Sequence, residues 1–280
     1  MNLEAFLARQ SGVGELDSQG AFTATMTGQL DRMSDHLLAD SGLAPLVAVA
    51  GAVAGGARAL DIGWSKREVV FRFALDQTLP PATHHLLLAA AVWRRQASRV
   101  ALVFPAQGRE LVLTPRKVGW EPCPQATGDV QLSVVGKVPG RQALELQMLR
   151  HCGLCPIPLS LDGKSLQVTL DKAYGATGAW SETVPDHLRP AGKATLEGEL
   201  ALVLAPTSQA RPGWVAVVGG ISYPFLLPEA GQLKGVVWSS LLSTDLGLGG
   251  VVCDRAWTQV RQQVLRQASR SGLGRTKPGR

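Results

Sequence analysis

The pattern that most constrains this chain is a change of hydrophobic period just before residue 60. Apolar residues first recur at helical spacing, with Leu46, Val49, Ala50 and Val53 on one stripe. From Leu60 onward the spacing drops to two: Leu60, Ile62 and Trp64, then, across a Ser65-Lys66-Arg67 turn, Val69, Phe71, Phe73 and Leu75. A helix that feeds two strands joined by a short turn places an antiparallel pair beneath a packed helix. The helical stretch from Leu43 to Ala57 is mostly Ala, Gly and Val, which predicts close packing on a sheet. It is too short and too weakly apolar to span a bilayer.

The same two periods organise the rest. Leu30, Met33 and Leu37 predict a helix over about Gln29 to Ala39. Pro45 suits the first turn of the helix that follows, which runs to about Gly55. A third helix is expected from about His84 to Gln96, after Pro80-Pro81. Strands are expected at 100–104, 111–114 and 130–135, and a helix at 141–150 with Leu144 and Met148 one turn apart. Asp162-Gly163 predicts a hairpin joining 157–161 to 166–170. Residues 171–194 lack a period, so a domain junction is expected there. Beyond it come strands near 196–204, 214–218 and 236–238, and a helix capped by Asp254 with Trp257, Val260 and Val264 inward. The fold class is therefore α+β, a two-layer sandwich of mostly antiparallel sheet with helices on one face, over residues 21–170. A flexible lead-in (1–20) precedes it, and a smaller α+β domain (195–268) and a basic tail (269–280) follow.

The net charge of +6 is local. Residues 261–280 hold five Arg and one Lys with no acid, so residues 1–260 are formally neutral. Such a body argues against a nucleic-acid-binding domain, and leaves the tail as the one segment able to meet an anionic partner. Four cysteines in 280 residues do not make a disulfide framework. The start, Met1-Asn2-Leu3-Glu4-Ala5-Phe6, lacks the basic and apolar regions of a secretion signal. The expectation is a cytoplasmic protein with no membrane partner.

Several blocks carry a family resemblance. Gly20-Ala21-Phe22-Thr23 comes first. Gly56-Ala57-Arg58-Ala59-Leu60-Asp61-Ile62 then closes the Ala-rich helix. Leu149 through Gly163 includes Pro156-Ile157-Pro158-Leu159-Ser160-Leu161-Asp162-Gly163, and Trp238 to Leu246 is followed by Val251-Val252-Cys253-Asp254. In this order they resemble a bacterial group related to the GHKL superfamily of gyrases, heat-shock chaperones and histidine kinases. The resemblance implies a Bergerat-type nucleotide fold, with a Glu that orients water and an Asn that ligates Mg²⁺ on the helix before the strand pair. Here that helix reads Leu46-Val47-Ala48-Val49-Ala50-Gly51-Ala52-Val53-Ala54-Gly55. It offers neither a titratable base nor an oxygen ligand. Asp76 stands where the adenine-binding Asp belongs, yet glycine is absent from Trp64 through Gln107. Backbone amides then lack the residues that let them approach a phosphate. Asp76 and Thr127-Gly128 are at most remnants, and no cofactor is expected.

Other motifs are weighed on their chemistry. Cys152-Gly153-Leu154-Cys155 could cycle between dithiol and disulfide, or, with His151, hold a metal. The pair falls at a helix C-terminus, the wrong end of the dipole for a thiolate, so two small core thiols are the expectation. Gly163-Lys164-Ser165 has Pro158 where a phosphate loop needs glycine, and Gly247-Leu248-Gly249-Gly250 leads into Val251-Val252 rather than a helix. Neither a G-x-S-x-G elbow nor H-E-x-x-H occurs. No catalytic residue is assigned. The expected function is a non-catalytic scaffold or regulator that meets a protein partner of unknown identity. A diverged chaperone-like ATPase and a binding module acting through the basic tail stay open as alternatives.

Overall fold

The computed structural model describes residues 41–74, 80–104, 108–123, 129–168, 170, 178–190, 192–196, 200–206, 213–231, 233–245 and 248–271. The expected lead-in, the helix at 29–39, Asp76, Thr127-Gly128 and residues 272–280 lie outside them.

Helix α1 (Ala44–Ala54) takes Pro45 in its first turn, where no amide partner is lost. It ends in a Schellman turn. Ala57 N–H donates to the Ala52 carbonyl and Gly56 N–H to that of Val53, both at 3.0 Å, with Gly56 at φ 69°. Strands β1 (Leu60–Trp64) and β2 (Glu68–Phe73) pair antiparallel, as the alternation predicts. Then follow α2 (Pro80–Arg94), β3 (Ala97–Phe104), β4 (Arg109–Leu113), β5 (Val118–Pro122), β6 (Val130–Gly136), α3 (Arg141–Cys152), β7 (Leu159–Leu161) and β8 (Lys164–Ser165). They build an eight-stranded sheet in the order β5-β4-β3-β6-β2-β1-β7-β8. Every pairing in it is antiparallel except β1 with β7.

Period two sorts the two faces. One cross-strand row reads Ile62, Phe71, Leu132, Leu102, Leu111, Trp120. All but Trp120 are fully buried, on the face that α2 packs across. The adjacent row on the opposite face reads Asp61, Arg72, Gln131, Val103, Glu110, Glu121, and is mostly polar. On that face Ser133 donates to Glu68 at 2.6 Å and Arg99 pairs with Glu110 at 2.9 Å.

A second sheet has the order β12-β11-β13-β10-β9, from β9 (Ala179–Trp180), β10 (Ala201–Pro206), β11 (Trp214–Val218), β12 (Ile221–Phe225) and β13 (Leu233–Trp238). Both of its faces are covered. Trp214, Ala216, Tyr223 and Phe225 share one face with the terminal helix α4 (Arg255–Arg270), where the Phe225 and Trp257 rings meet at 5.0 Å. Val217, Val236 and Trp238 on the other face pack with Leu170, Trp180, Val184 and Leu188. Asp254 caps α4 by accepting from Trp257 N–H at 3.0 Å, as its sequence predicts. The mixed α+β class holds, with helices α1–α3 on one face of the large sheet.

Several boundaries differ from expectation, each for a local reason. Helix α2 starts at Pro80 rather than His84, because prolines fit a first turn. Strands β5 and β12 were not expected. The second hairpin arm stops at Ser165, because Gln167 turns its amide toward the carbonyls of Cys155 (3.2 Å) and Ile157 (2.7 Å). Residues 178–190, within the expected junction, carry β9 and bury Trp180, Val184 and Leu188. Helix α4 runs to Arg270, two residues into the expected tail, and Ser271 closes it. Most buried side chains from Ala44 to Leu166 and from Leu200 to Ala268 join one contiguous core, beside the smaller cluster around Trp180 and Trp238.

Candidate functional site

The wall where the resemblance would dock a nucleotide is α1. Its residues Ala44 to Ala52 are all buried. A helix apolar on every side belongs inside a core, and three elements enclose this one. Helix α2 lies so close that a Cβ on Gly51 would stand 3.1 Å from Leu86 and 3.3 Å from the His85 Cβ. Helix α3 packs on a second side. The tip of the β11–β12 hairpin, Gly219-Gly220, closes a third: Cβ atoms built there would meet Ala50 at 3.5 Å from Gly219, and Val53 at 2.9 Å and Val49 at 3.2 Å from Gly220. The absence of acid and amide along this helix therefore serves packing.

Space remains at the N-terminal end of α1. A cavity of about 490 Å³ is bounded there by Pro45, Trp93, Val138 and Ala143, with Gln96, Lys137 and Gln147 among its polar lining. Gln147 donates to the Gly42 carbonyl at 2.5 Å, and Trp64 Nε1 donates to that of Pro139 at 2.9 Å. Among the described residues, the polar side chains of the lining are two amides and one ammonium, which supply no general base and no carboxylate for a divalent ion.

The thiol pair sits where α3 ends. Cys155 N–H donates to the Cys152 carbonyl at 3.0 Å, and both side chains are fully buried. Burial pushes the Cys155 thiol up to about 12, and burial with Cys155 alongside raises Cys152 well above the ordinary range. Burial therefore disfavours the reactive thiolate form at both positions. His151 is half-buried, its pKa lowered by desolvation and then by Arg150. Among the described residues no group of three or more His, Cys, Asp or Glu is placed to hold a metal.

The remaining motifs resolve into turns. Asp162 (φ 51°) and Gly163 (φ 76°) form the hairpin turn, and Lys164 leaves it to pair with Glu145 at 2.5 Å. Arg141 bridges Glu145 (3.3 Å) and Asp162 (3.0 Å), so this lysine is committed to an ion network. Around Gly249, the Asp245 carboxylate accepts from its N–H at 2.6 Å and Leu248 takes φ 55°, which makes a closed turn. Trp93, Trp180, Trp214 and Trp238 are buried, Trp64 and Trp257 half-buried, and Trp120 is 36% exposed. Sequence reasoning missed Arg94, which is buried and donates to the carbonyls of Thr114 (2.7 Å) and Pro115 (3.4 Å). It also missed β5, a short strand after Pro115-Arg116-Lys117 with weak contrast between its faces.

His187 ties the second sheet to this region. Its Nε2 lies 2.7 Å from the Gln167 amide nitrogen, which also donates to Ile157. Nε2 also lies 3.1 Å from the Cys155 carbonyl, so it is shared between these two neighbours. Desolvation lowers the pKa of His187, His84 and His151 below the usual 6.5. In the unfolded chain each takes up a proton as pH falls through 6.5, while the folded form resists. Folding stability is then full above that value and declines as pH drops from it toward the lowered values. Denaturation midpoints measured from pH 7.5 to 5 should fall on acidification, and His187→Asn should flatten part of the slope.

No protein-family model matches the sequence, and no curated protein matches it. Among solved structures, the chain is similar to the crystal structure of the N-terminal domain of a DNA repair protein. The TM-score is 0.45 at 9% identity, covering 89% of this chain and 99% of that one.

Proposed function

We propose that this chain is a non-catalytic scaffold or regulatory protein on a GHKL-like layered fold, in which the nucleotide wall has become packing surface. The observation that carries the reading is α1. The helix expected to present Glu and Asn instead presents Ala, Val and Gly, and α2, α3 and the β11–β12 hairpin enclose it. The GHKL-like reading draws support from the placement of two resemblance blocks. Residues 56–62 and 149–163 are far apart in sequence, yet Leu60 pairs with Leu159 and Ile62 with Leu161. Its partner is a protein, and its compartment the cytoplasm. Cys152 and Cys155 are free thiols, which suits a reducing environment. No helix among the described residues is long and apolar enough to cross a membrane.

Calorimetric titration with Mg-ATP tests this reading against a diverged ATPase. The expected result is no saturable heat up to about 1 mM nucleotide, meaning a free energy of binding weaker than about 4 kcal/mol. Micromolar binding with phosphate release, abolished by Asp76→Ala, would overturn the proposal.

A further inference from the structure

Strand β5 closes one side of the large sheet and, among the described strands, pairs only with β4. Its backbone is arranged to pair again. Cys123 N–H donates to Gly108 at 2.9 Å and Thr114 N–H to Lys117 at 2.8 Å, bracketing the β4–β5 ladder. Residues of that parity, Lys117, Gly119 and Glu121, therefore aim their amides and carbonyls at β4. Val118 and Trp120 aim theirs outward, and Pro122 has only a carbonyl to offer.

A second copy of the same strand fits this edge in one register whose hydrogen-bonded residues all lie within β5 and keep their donors. A two-fold axis through Gly119 sets Val118 opposite Trp120 of the other copy and Trp120 opposite Val118. All four are outward-facing residues, so the two pairs exchange four N–H···O bonds. Pro122, which lacks a donor, falls outside those bonds. The same axis sets Lys117 opposite Glu121 of the other copy, twice. A two-fold centred on Trp120 would instead put Val118 against Pro122 and waste a donor. The side chains suit the first register. Lys117 and Glu121, exposed at 69% and 40%, pair with each other at 3.0 Å within one chain and exchange partners across the axis, and Trp120 is braced beside Phe104 (6.1 Å) and Arg109 (5.7 Å). An aromatic ring opposite a β-branched residue is a favourable cross-strand pair. Lysine and proline on an edge ordinarily discourage pairing. Here the lysine meets its counter-charge at the spacing symmetry dictates. We infer that β5 is a self-association edge, through which two copies join their large sheets antiparallel about a two-fold at Gly119. The inference is independent of whether the chain binds nucleotide.

Sedimentation of the full chain tests it. A reversible dimer is expected at micromolar to tens of micromolar concentration, the weak range for a small interface. Val118→Pro removes an outward donor and leaves the β4 ladder whole, so it should give a monomer with an unchanged circular dichroism spectrum. Lys117→Glu and Glu121→Lys each place like charges opposite one another twice, and each should weaken homodimerisation roughly tenfold to thirtyfold. Mixed together, the two variants should associate as the wild type does, because each mutant then faces opposite charges. Loss of an intrachain Lys117–Glu121 contact cannot produce that rescue. A wild type still monomeric at about 1 mM, far above the expected range, a dimeric Val118→Pro, or failure of the mixed pair to associate would each overturn the proposal.

Discussion

Gly220→Ala should destabilise the fold by roughly 2–4 kcal/mol, the sum of a left-handed backbone cost and overpacking. Gly220 holds φ 82°, where an L side chain is strained. Its added Cβ would stand 2.8 Å from the Cys155 sulfur and 2.9 Å from Val53. Neither neighbour can give easily, since Cys155 is fixed in the turn after α3 and Val53 belongs to α1. The control is one residue earlier. Gly219 holds φ 57°, yet its Cβ would meet only Ala50, at an ordinary 3.5 Å. Gly219→Ala should therefore cost only about 1 kcal/mol, the backbone share alone. Urea denaturation of both variants reads the difference directly. Equal midpoints would show that the hairpin tip does not press on the helices as described.

Phe71→Ala is the second large effect, expected at roughly 3–5 kcal/mol. Phe71 is fully buried at the centre of the eight-stranded sheet, 5.4 Å from the Trp93 ring. Because one core runs from Ala44 to Ala268, the loss should move a single cooperative transition that includes the second sheet. Intrinsic fluorescence reports both sheets, since Trp93 lies over the first and Trp214 lies in the second. Near- and far-ultraviolet circular dichroism should melt coincidently with it. Two transitions, of which only one shifts, would mean that the sheets unfold separately.

These effects explain which parts of the molecule could be read from its residues. Alternation at Leu60–Trp64 placed β1, and that from Val69 to Leu75 placed β2, which ends two residues earlier at Phe73, because one face of that pair is dry and the other wet. Asp254 and Asp162-Gly163 were legible because capping and turn chemistry are local. Strand β5 was not legible. At an edge both faces are partly wetted, so Val118 and Trp120 carry little periodic contrast. Strand β12 hid for a different reason: Pro224 sits in it, and proline argues against a strand except at an edge, where β12 lies. At the candidate site, the missing acid and amide were visible from composition. Their consequence, a helix enclosed on three sides, depends on α2, α3 and a hairpin more than 160 residues downstream of α1.

The parallel pairing of β1 with β7 has a consequence for how the chain is made. Leu60 finds its partner in Leu159, so during synthesis β1 emerges long before the segment that will protect it. Until α3 and the Asp162-Gly163 turn have left the ribosome, β1 is a bare margin bearing Leu60 and Ile62. Nascent chains halted before residue 159 are therefore the species most exposed to mispairing, and the ones for which a chaperone would matter most.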